Sequence, residues 1–514
     1  MGDAFRTDAW ERFARHAAYV RANPRFEVEE RERKQAIASE VAGLVRAARE
    51  GQPALDQVDA VLATLTDPRG AVQLTHRNQN AWLREWSAAD AATFAQALAQ
   101  FAEPEADPEE RLERFVETAE AARQKGTITD EPGTMMTLGS LFNFALSPSD
   151  LPVVRARPYL ELQSRLGQEQ PRGGSILDHY RTYVSFARTL AGELAAAGVP
   201  VVDMLDVQAL IFLSEREEFW TTPAAAYERL RADPCRAVSA PATGSPPPYL
   251  SVCACLGFDA PYLIEWLEFH RLVGAERFFL YNNGDREAQR ELLAPYVEDG
   301  LVVLHDWPVF PPQVPAFQHC IDEHHADSRW IAFIDTDEFL FCPSMEPLPD
   351  VLTGYEGCPG VAVNWTTFGF SGHRSKPPGL VIENYLMRLN THRDRLIKNI
   401  VDPSRAETCV LAHEFLYQDG VTVDENRFPV IGSTSTYISD SRFRLNHYFT
   451  KSEEEWRAKI SRRRPDIGEF REEESIERTI GFEGSATRDE TILPYVPLLR
   501  PRVEQATQAS SRCL

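Results

Sequence analysis

The sequence predicts two domains of different class: a mainly α-helical domain over residues 1–237, and an α/β domain over 249–502 with a mostly parallel, helix-covered sheet. Three observations carry this. The chain has 514 residues, a length for two to four domains. Its first 235 residues are rich in Ala, Glu, Arg and Leu, with apolar positions recurring at three and four. Beyond residue 240, short apolar runs alternate with amphipathic stretches. The Pro-, Ser- and Ala-rich segment 238–248 between them reads as a linker, and 503–514 reads as a flexible tail.

In the first domain, AAYVRANPRF, VAGLVRAARE, ATFAQALAQF and YVSFARTLAGELAAAG have helical spacing, and Pro24, Pro53, Asp67-Pro68, Pro132-Gly133 and Pro148 divide the helices. It reads as an accessory domain without a catalytic signature. In the second, YLSVCACL (249–256) suits a buried strand. DAPYLIEWLEFHRLVGA suits a helix, with Pro261 in its first turn and Gly274 as its stop. Strands are expected over 277–283, 301–307 and 329–335, with helices over 285–297 and near 316–326. In sheets of this kind ligands bind at the carboxyl ends of the strands.

The formal net charge of −23 and the 43% hydrophobic content describe an ordinary globular chain and argue against one that coats nucleic acid or anionic lipid. No run approaches the roughly 18 apolar residues of a membrane-spanning helix, and the charged N-terminus has no apolar signal core. The scattered cysteines contain no CxxC pair, which makes a reducing cytoplasm the expected home. The absence of GxGxxG, Walker and GxSxG motifs disfavours dinucleotide enzymes, ATPases and standard α/β hydrolases.

The segment IAFIDTDEFLF (331–341) carries the chemistry. In extended chain Asp335 and Asp337 point to the same side, so both carboxylates can face one Mg²⁺ or Mn²⁺ ion, which also accepts diphosphate oxygens. Such an ion offsets charge on a departing nucleoside diphosphate. The plain alternative is an acidic loop that ends a strand.

From Tyr249 to about Arg500 the chain resembles the GT-A-fold glycosyltransferases related to families 2 and 92. The resemblance rests on PYLIEWLEFHRLVGAERFFLYNNGD, QVPAFQHC, WIAFIDTDEFLF, NWTTFGFSGHRSKPPGLVIE, KNIV, VDEN and NHYFTKSEEEWRAKISRRRPD. It implies a nucleotide-sugar donor, such as a UDP-sugar, a divalent metal, a glycosyl acceptor (glycan, protein or small molecule) and inversion. Asp335 and Asp337 then match the metal and diphosphate motif, with Glu338 beside them orienting the loop or the sugar. His447 in NHYF matches a late histidine that completes the metal shell in relatives; a structural histidine is the plain alternative, and His413 is a second candidate. Where relatives have Asn-Glu after the first strand this chain has Phe258-Asp259, and Asp259 would reach the base or ribose. Asn282, Asn283 and Asp285 follow the second strand, either as base contacts or as a turn. Lys398 in KNIV would pair with a phosphate or an acid. Lys451, Arg457, Lys459 and Arg462–Arg464 would close over a diphosphate, or form a solvated helix with a Glu455–Lys459 pair. Among Glu383, Glu414, Asp424 and Glu425, Asp424 is preferred as the catalytic base.

Two competing readings stand beside this one. One is a non-catalytic protein that senses a partner or nucleic acid through the helical domain. The other is a nucleotidyltransferase on the same fold.

Overall fold

A computed structural model describes residues 5–512, apart from 6, 51–54, 66–73, 76, 103–105, 129–131, 171–172, 229, 231–246, 258–259, 285, 390 and 470–485. The chain divides into two compact units, Met1–Thr222 and Pro223–Leu514. Most of the expected linker lies outside the described residues. Among these residues no helix is long and apolar enough to cross a membrane.

The first unit is helical, as its spacing predicts. Trp86, Phe94, Phe101, Phe115 and Phe142 pack ring against ring in its core. One network in it joins three charged side chains. Arg31 donates to both oxygens of Asp203 at 2.7 and 2.9 Å and to Asp206 at 2.8 Å, a planar fork that only arginine offers. Asp203 also caps the helix Met204–Leu213 by accepting from Leu205 N.

The second unit is built on thirteen described strands. They are β1 (Leu250–Leu256), β2 (Arg277–Asn282), β3 (Val302–Asp306), β4 (Trp330–Phe333), β5 (Glu338–Phe341), β6 (Gly360–Thr367), β7 (Met387–Arg388), β8 (Ile397–Val401), β9 (Ala406–Leu411), β10 (Glu414–Tyr417), β11 (Thr422–Val423), β12 (Arg444–His447) and β13 (Thr487–Arg488). The main sheet runs β3-β2-β1-β4-β8-β6-β12-β5, with β11 on β6. The first four of these pair in parallel, as the strand–helix rhythm requires. Beyond β4 the sheet is mixed: β8 is antiparallel to both β4 and β6, and β5 to β12.

The apolar run of β1 is buried on both faces, and its alternation sorts side chains into two layers. Val252, Ala254 and Leu256 join the core under the helix Ala260–Leu272, while Cys253 faces Phe317, Cys320 and Phe415 on the other side. This double burial is why a parallel strand reads as a continuous apolar run. The polypeptide leaves β1 toward β2 and β3 on one side and returns to β4 on the other, so the switch point lies at the carboxyl ends of β1 and β4.

Two expectations are corrected. Residues 503–512 are not a loose tail: they continue the helix Val496–Arg512, and Val503 and Ala506 pack on the core. The paired acids do not lie in extended chain either. Glu338 N donates to Asp335 O at 3.1 Å, so the backbone turns between β4 and β5.

His270 ties the helix to this turn. Its Nδ1 donates to Trp266 O at 2.8 Å, and its Nε2 accepts from Leu340 N at 3.2 Å. Burial pushes its imidazole down to about 3. The neutral form is therefore the folded one, and its stabilisation is complete above about pH 6.5, the unfolded value. It is lost as the pH falls toward 3. In urea unfolding followed across that window, His270→Leu should flatten the dependence of stability on pH; an unchanged slope would remove His270 as its source.

Candidate active site

The acidic turn sits at the carboxyl end of β4, and each of its carboxylates meets a cation from elsewhere in the chain. Asp335 accepts from Lys398 Nζ at 3.0 Å and from the Gln313 side-chain amide. Lys398 belongs to β8, the neighbour of β4, and is 1% exposed. Asp337 accepts from Lys459 Nζ, and its Oδ1 lies 3.5 Å from His447 Nε2. Glu338, fully buried, turns back to accept from Asp335 N at 2.8 Å; its Oε2 makes that bond, while Oε1 has no hydrogen-bond partner and lies 4.0 Å from Lys398.

The main chain of the turn is held as tightly. Trp266 Nε1 donates to the carbonyls of Asp335 and Glu338, at 3.1 and 2.9 Å. Tyr448 N donates to Asp337 O at 2.9 Å. The register of β12 on β5 sets His447 opposite Glu338, which brings a histidine more than a hundred residues away beside the acids.

The electrostatics follow from this packing. Burial alone would raise Asp337, but Lys459, His447 and Lys451 outweigh it and hold the carboxyl well below its ordinary range. Burial and the neighbouring Asp335 push Glu338 well above its range, against the pull of Lys398. Burial would lower Lys398, yet Asp335 and Glu338 raise it. His447 is lowered by burial, with Asp337 opposing, and its buried Nδ1 has no hydrogen-bond partner. It packs on the Trp365 indole at 4.1 Å between ring centroids.

One carboxylate oxygen beside one neutral imidazole nitrogen suits a cation of the Mn²⁺ type, with its other positions open to water or phosphate oxygens. Among the described residues no group of three or more His, Cys, Asp and Glu side chains converges on a metal position. The fit is therefore a two-ligand one, Asp337 with His447, and Asp335 is turned toward Lys398.

The other expected residues divide. Lys451, in left-handed backbone at φ 52°, holds its ammonium 4.3 Å from the Tyr262 ring centroid, with Lys376 at 4.2 Å from the same ring. Asn282 is buried at the end of β2. Asn283 spends its amide donors on Trp307 O and Val309 O, at 2.6 and 2.8 Å. That is the turn role its composition suggested. A Cβ on Gly284 would lie 1.7 Å from Gly257 O, so only glycine lets the chain ends of β1 and β2 cross there. Asp259 and Asp285 lie outside the described residues. Asp424 is not brought to the cluster. It follows β11, which pairs with the opposite end of β6 from His447, and its Oδ1 accepts from Asn426 N and Phe428 N in its own turn.

Sequence reasoning passed over Gln313, Trp266 and Trp365. Trp266 looks like any other member of an apolar helix face, and its indole N–H acts on backbone that no periodicity reveals. Ser452 and Glu455 form the expected capping box, but Lys459 pairs with Asp337 rather than Glu455.

The site is thus an acid turn at the switch point of a parallel sheet, with two lysines and a histidine converging on it. Comparison gives the class: residues 249–477 match the sequence model of glycosyltransferase family 92. A family 92 protein of Oryza sativa is 27% identical over 234 residues, which is 44% of this chain and 38% of the relative. One from Arabidopsis thaliana is 28% identical over 229 residues, 42% and 37% of the two chains. A galactan beta-1,4-galactosyltransferase of Arabidopsis thaliana is 29% identical over 102 residues, 18% of this chain and 20% of the relative. The second unit is thus similar, over residues 249–477, to the glycosyltransferases of family 92. The match spans less than two fifths of the length of the rice and Arabidopsis family 92 relatives.

Lys398 is the buried counter-charge to Asp335 and Glu338. Lys398→Met should destabilise the protein by about 3–5 kcal/mol, because it leaves buried carboxylate without a partner. The loss should shrink at low pH, where the acids take up protons. Urea unfolding at two pH values measures both, and an equal loss at each would place the effect in packing.

Proposed function

We propose that this protein transfers a sugar from a nucleotide-sugar donor to an acceptor hydroxyl, and that the donor diphosphate lies at the carboxyl ends of β1 and β4. The observation that carries the reading is the Asp337 carboxylate, 3.5 Å from the His447 imidazole, at the switch point of a domain similar to family 92. A bound Mn²⁺ or Mg²⁺ would offset the charge that develops on the leaving diphosphate. Asp337 and His447 would hold it, and a lowered carboxyl beside a neutral imidazole supplies the right protonation states.

The chain's own residues account for the rest. Lys398 and Lys459 lie against the two aspartates and can exchange that contact for phosphate oxygens. Lys451 adds positive charge from the loop before the helix Glu453–Ile460. Glu338, Trp266 and Tyr448 keep the turn from shifting when its charge changes. The family resemblance, which includes inverting family 2, speaks for inversion. The galactan galactosyltransferase relative makes UDP-galactose the first donor to try. A nucleotidyltransferase on this fold would release pyrophosphate instead of a nucleoside diphosphate.

With purified full-length chain, Mn²⁺ and UDP-galactose, UDP-glucose or UDP-N-acetylglucosamine, at least one donor should release UDP. Asp337→Asn should lower the rate about 100-fold or more, comparable to removing one charge-stabilising group from an active site. His447→Ala should raise the Mn²⁺ concentration needed for half-maximal rate. Undiminished rate in the Asp335→Asn/Asp337→Asn double variant, or pyrophosphate as the product, would refute the assignment.

A further inference from the structure

Transfer to a hydroxyl needs a group that takes its proton, and three of the four carboxylates considered for that role are engaged elsewhere. Asp424 accepts from two amides of its own turn. Glu425 accepts from Ser441 and from the amides of Arg442 and Phe443. Glu383 caps Leu380 N and pairs with Arg500. Asp337 and Asp335 face the lysines.

Building on the proposed glycosyl transfer, we infer that His413 is the base that deprotonates the acceptor hydroxyl, through Nε2. His413 sits at the tip of the ribbon formed by β9 and β10, between Leu411 and Glu414. Two bonds clamp it to β8. Its main-chain carbonyl accepts from Asn399 Nδ2 at 2.9 Å, and its Nδ1 lies 2.7 Å from Ile397 O. A carbonyl only accepts, so Nδ1 carries the proton and Nε2 carries the lone pair. Ile397 and Asn399 flank Lys398, whose ammonium holds Asp335. The fixed imidazole therefore stands beside the acid turn.

The Trp365 indole separates the two histidines of this region. His413 meets it edge-on, with centroids 5.2 Å apart and planes at 81°, and His447 packs on it from the Asp337 side. The charged groups that face His413 are Lys398 from β8, Asp335 from the acid turn and Asp466 from the segment after the helix Glu453–Ile460. Asp466 is held by Arg464, with bonds of 3.1 and 2.6 Å. Gln313 N donates to Pro465 O at 3.2 Å, which fastens this segment beside Asp335's own partner. Burial, then Lys398, pushes the His413 imidazole down to about 4, with Asp335 and Asp466 opposing. The lone pair is therefore available throughout the neutral range.

In the step, the acceptor O–H bond breaks and its proton passes to Nε2. The acceptor oxygen forms the new bond to the anomeric carbon. The carbon–oxygen bond to the diphosphate breaks, and its electron pair leaves with the nucleoside diphosphate. The imidazolium then returns the proton to water.

The test uses the full chain with Mn²⁺, calorimetric titration with UDP, and release of UDP from the three UDP-sugars above with water as the acceptor. His413→Gln should bind UDP as the unaltered protein does and release it about 100-fold more slowly, the usual span for a lost base being 10²–10⁴. Its rate should also lose the decline that the unaltered protein shows toward pH 4. Long-range ¹⁵N spectra of the unaltered protein should show the Nδ1-protonated form of His413, a readout that needs no variant to fold. A His413→Gln rate within about threefold of the unaltered protein, or a proton on Nε2, would overturn the inference while leaving the transferase reading intact. Failure of the unaltered protein to bind UDP or turn over any donor would overturn both.

Discussion

Three consecutive-turn carboxylates, Asp335, Asp337 and Glu338, are set at the rim of a hydrophobic core, and the rest of the second unit is arranged around neutralising them. Isolated charges of this kind are costly to bury, and even paired ones add little to stability. Lys398 is 1% exposed and Glu338 is fully buried, so neither charge is there for solubility. Replacing the group by well-packed apolar residues would give a core at least as stable. So many paired charges at the end of a sheet are therefore not accounted for by stability alone. Oε1 of Glu338 and Nδ1 of His447 are buried there without a hydrogen-bond partner.

The positioning is mechanical before it is electrostatic. The helix Ala260–Leu272 presents Trp266 and His270 one turn apart. One grips the carbonyls of Asp335 and Glu338, and the other accepts from Leu340 N in β5. On the far side, β12 brings Tyr448 to the Asp337 carbonyl. The turn is thus bonded from a helix and from a strand, and its side chains can exchange partners while its backbone stays in place. At the neighbouring strand ends, the close crossing of Gly257 and Gly284 keeps side chains out of the same crevice.

How much of this was legible follows from the range of each interaction. β1 to β4 and their helices are written in contiguous apolar runs, and they fall within about three residues of the expected bounds. The Ser452–Glu455 cap is a local signal and forms as read. Asp335 and Asp337 stood out because acids flanked by apolar runs need an explanation. The extended chain expected to pair them is instead a turn, closed by the backbone bond from Glu338 N to Asp335 O. The partners were less visible because each arrives from a distant element. Lys459 has a plausible partner four residues away in Glu455, and only the fold shows that Asp337 takes it. Asp424 looked like a cleft acid for the opposite reason. Its use in its own turn, and the pairing of β11 with the far end of β6, are invisible without the sheet order. The tail misled because its polar surface hides two apolar contacts, Val503 and Ala506, that hold a helix on the core.

The two histidines show how one residue type acquires two chemistries from its nearest oxygen. Both are lowered by burial, and both touch the same indole. His447 faces Asp337, a carboxylate held well below its ordinary range and so fully charged. His413 faces the Ile397 carbonyl, a partial charge that can only accept, which fixes the proton on one nitrogen and leaves the other basic. Trp365 packs against both rings. A sheet that ends in mixed strands makes this possible. β8 runs antiparallel to β4, so it lays Lys398 and the Ile397 carbonyl beside the acid turn, while β12, parallel to β6, delivers His447 from the other side.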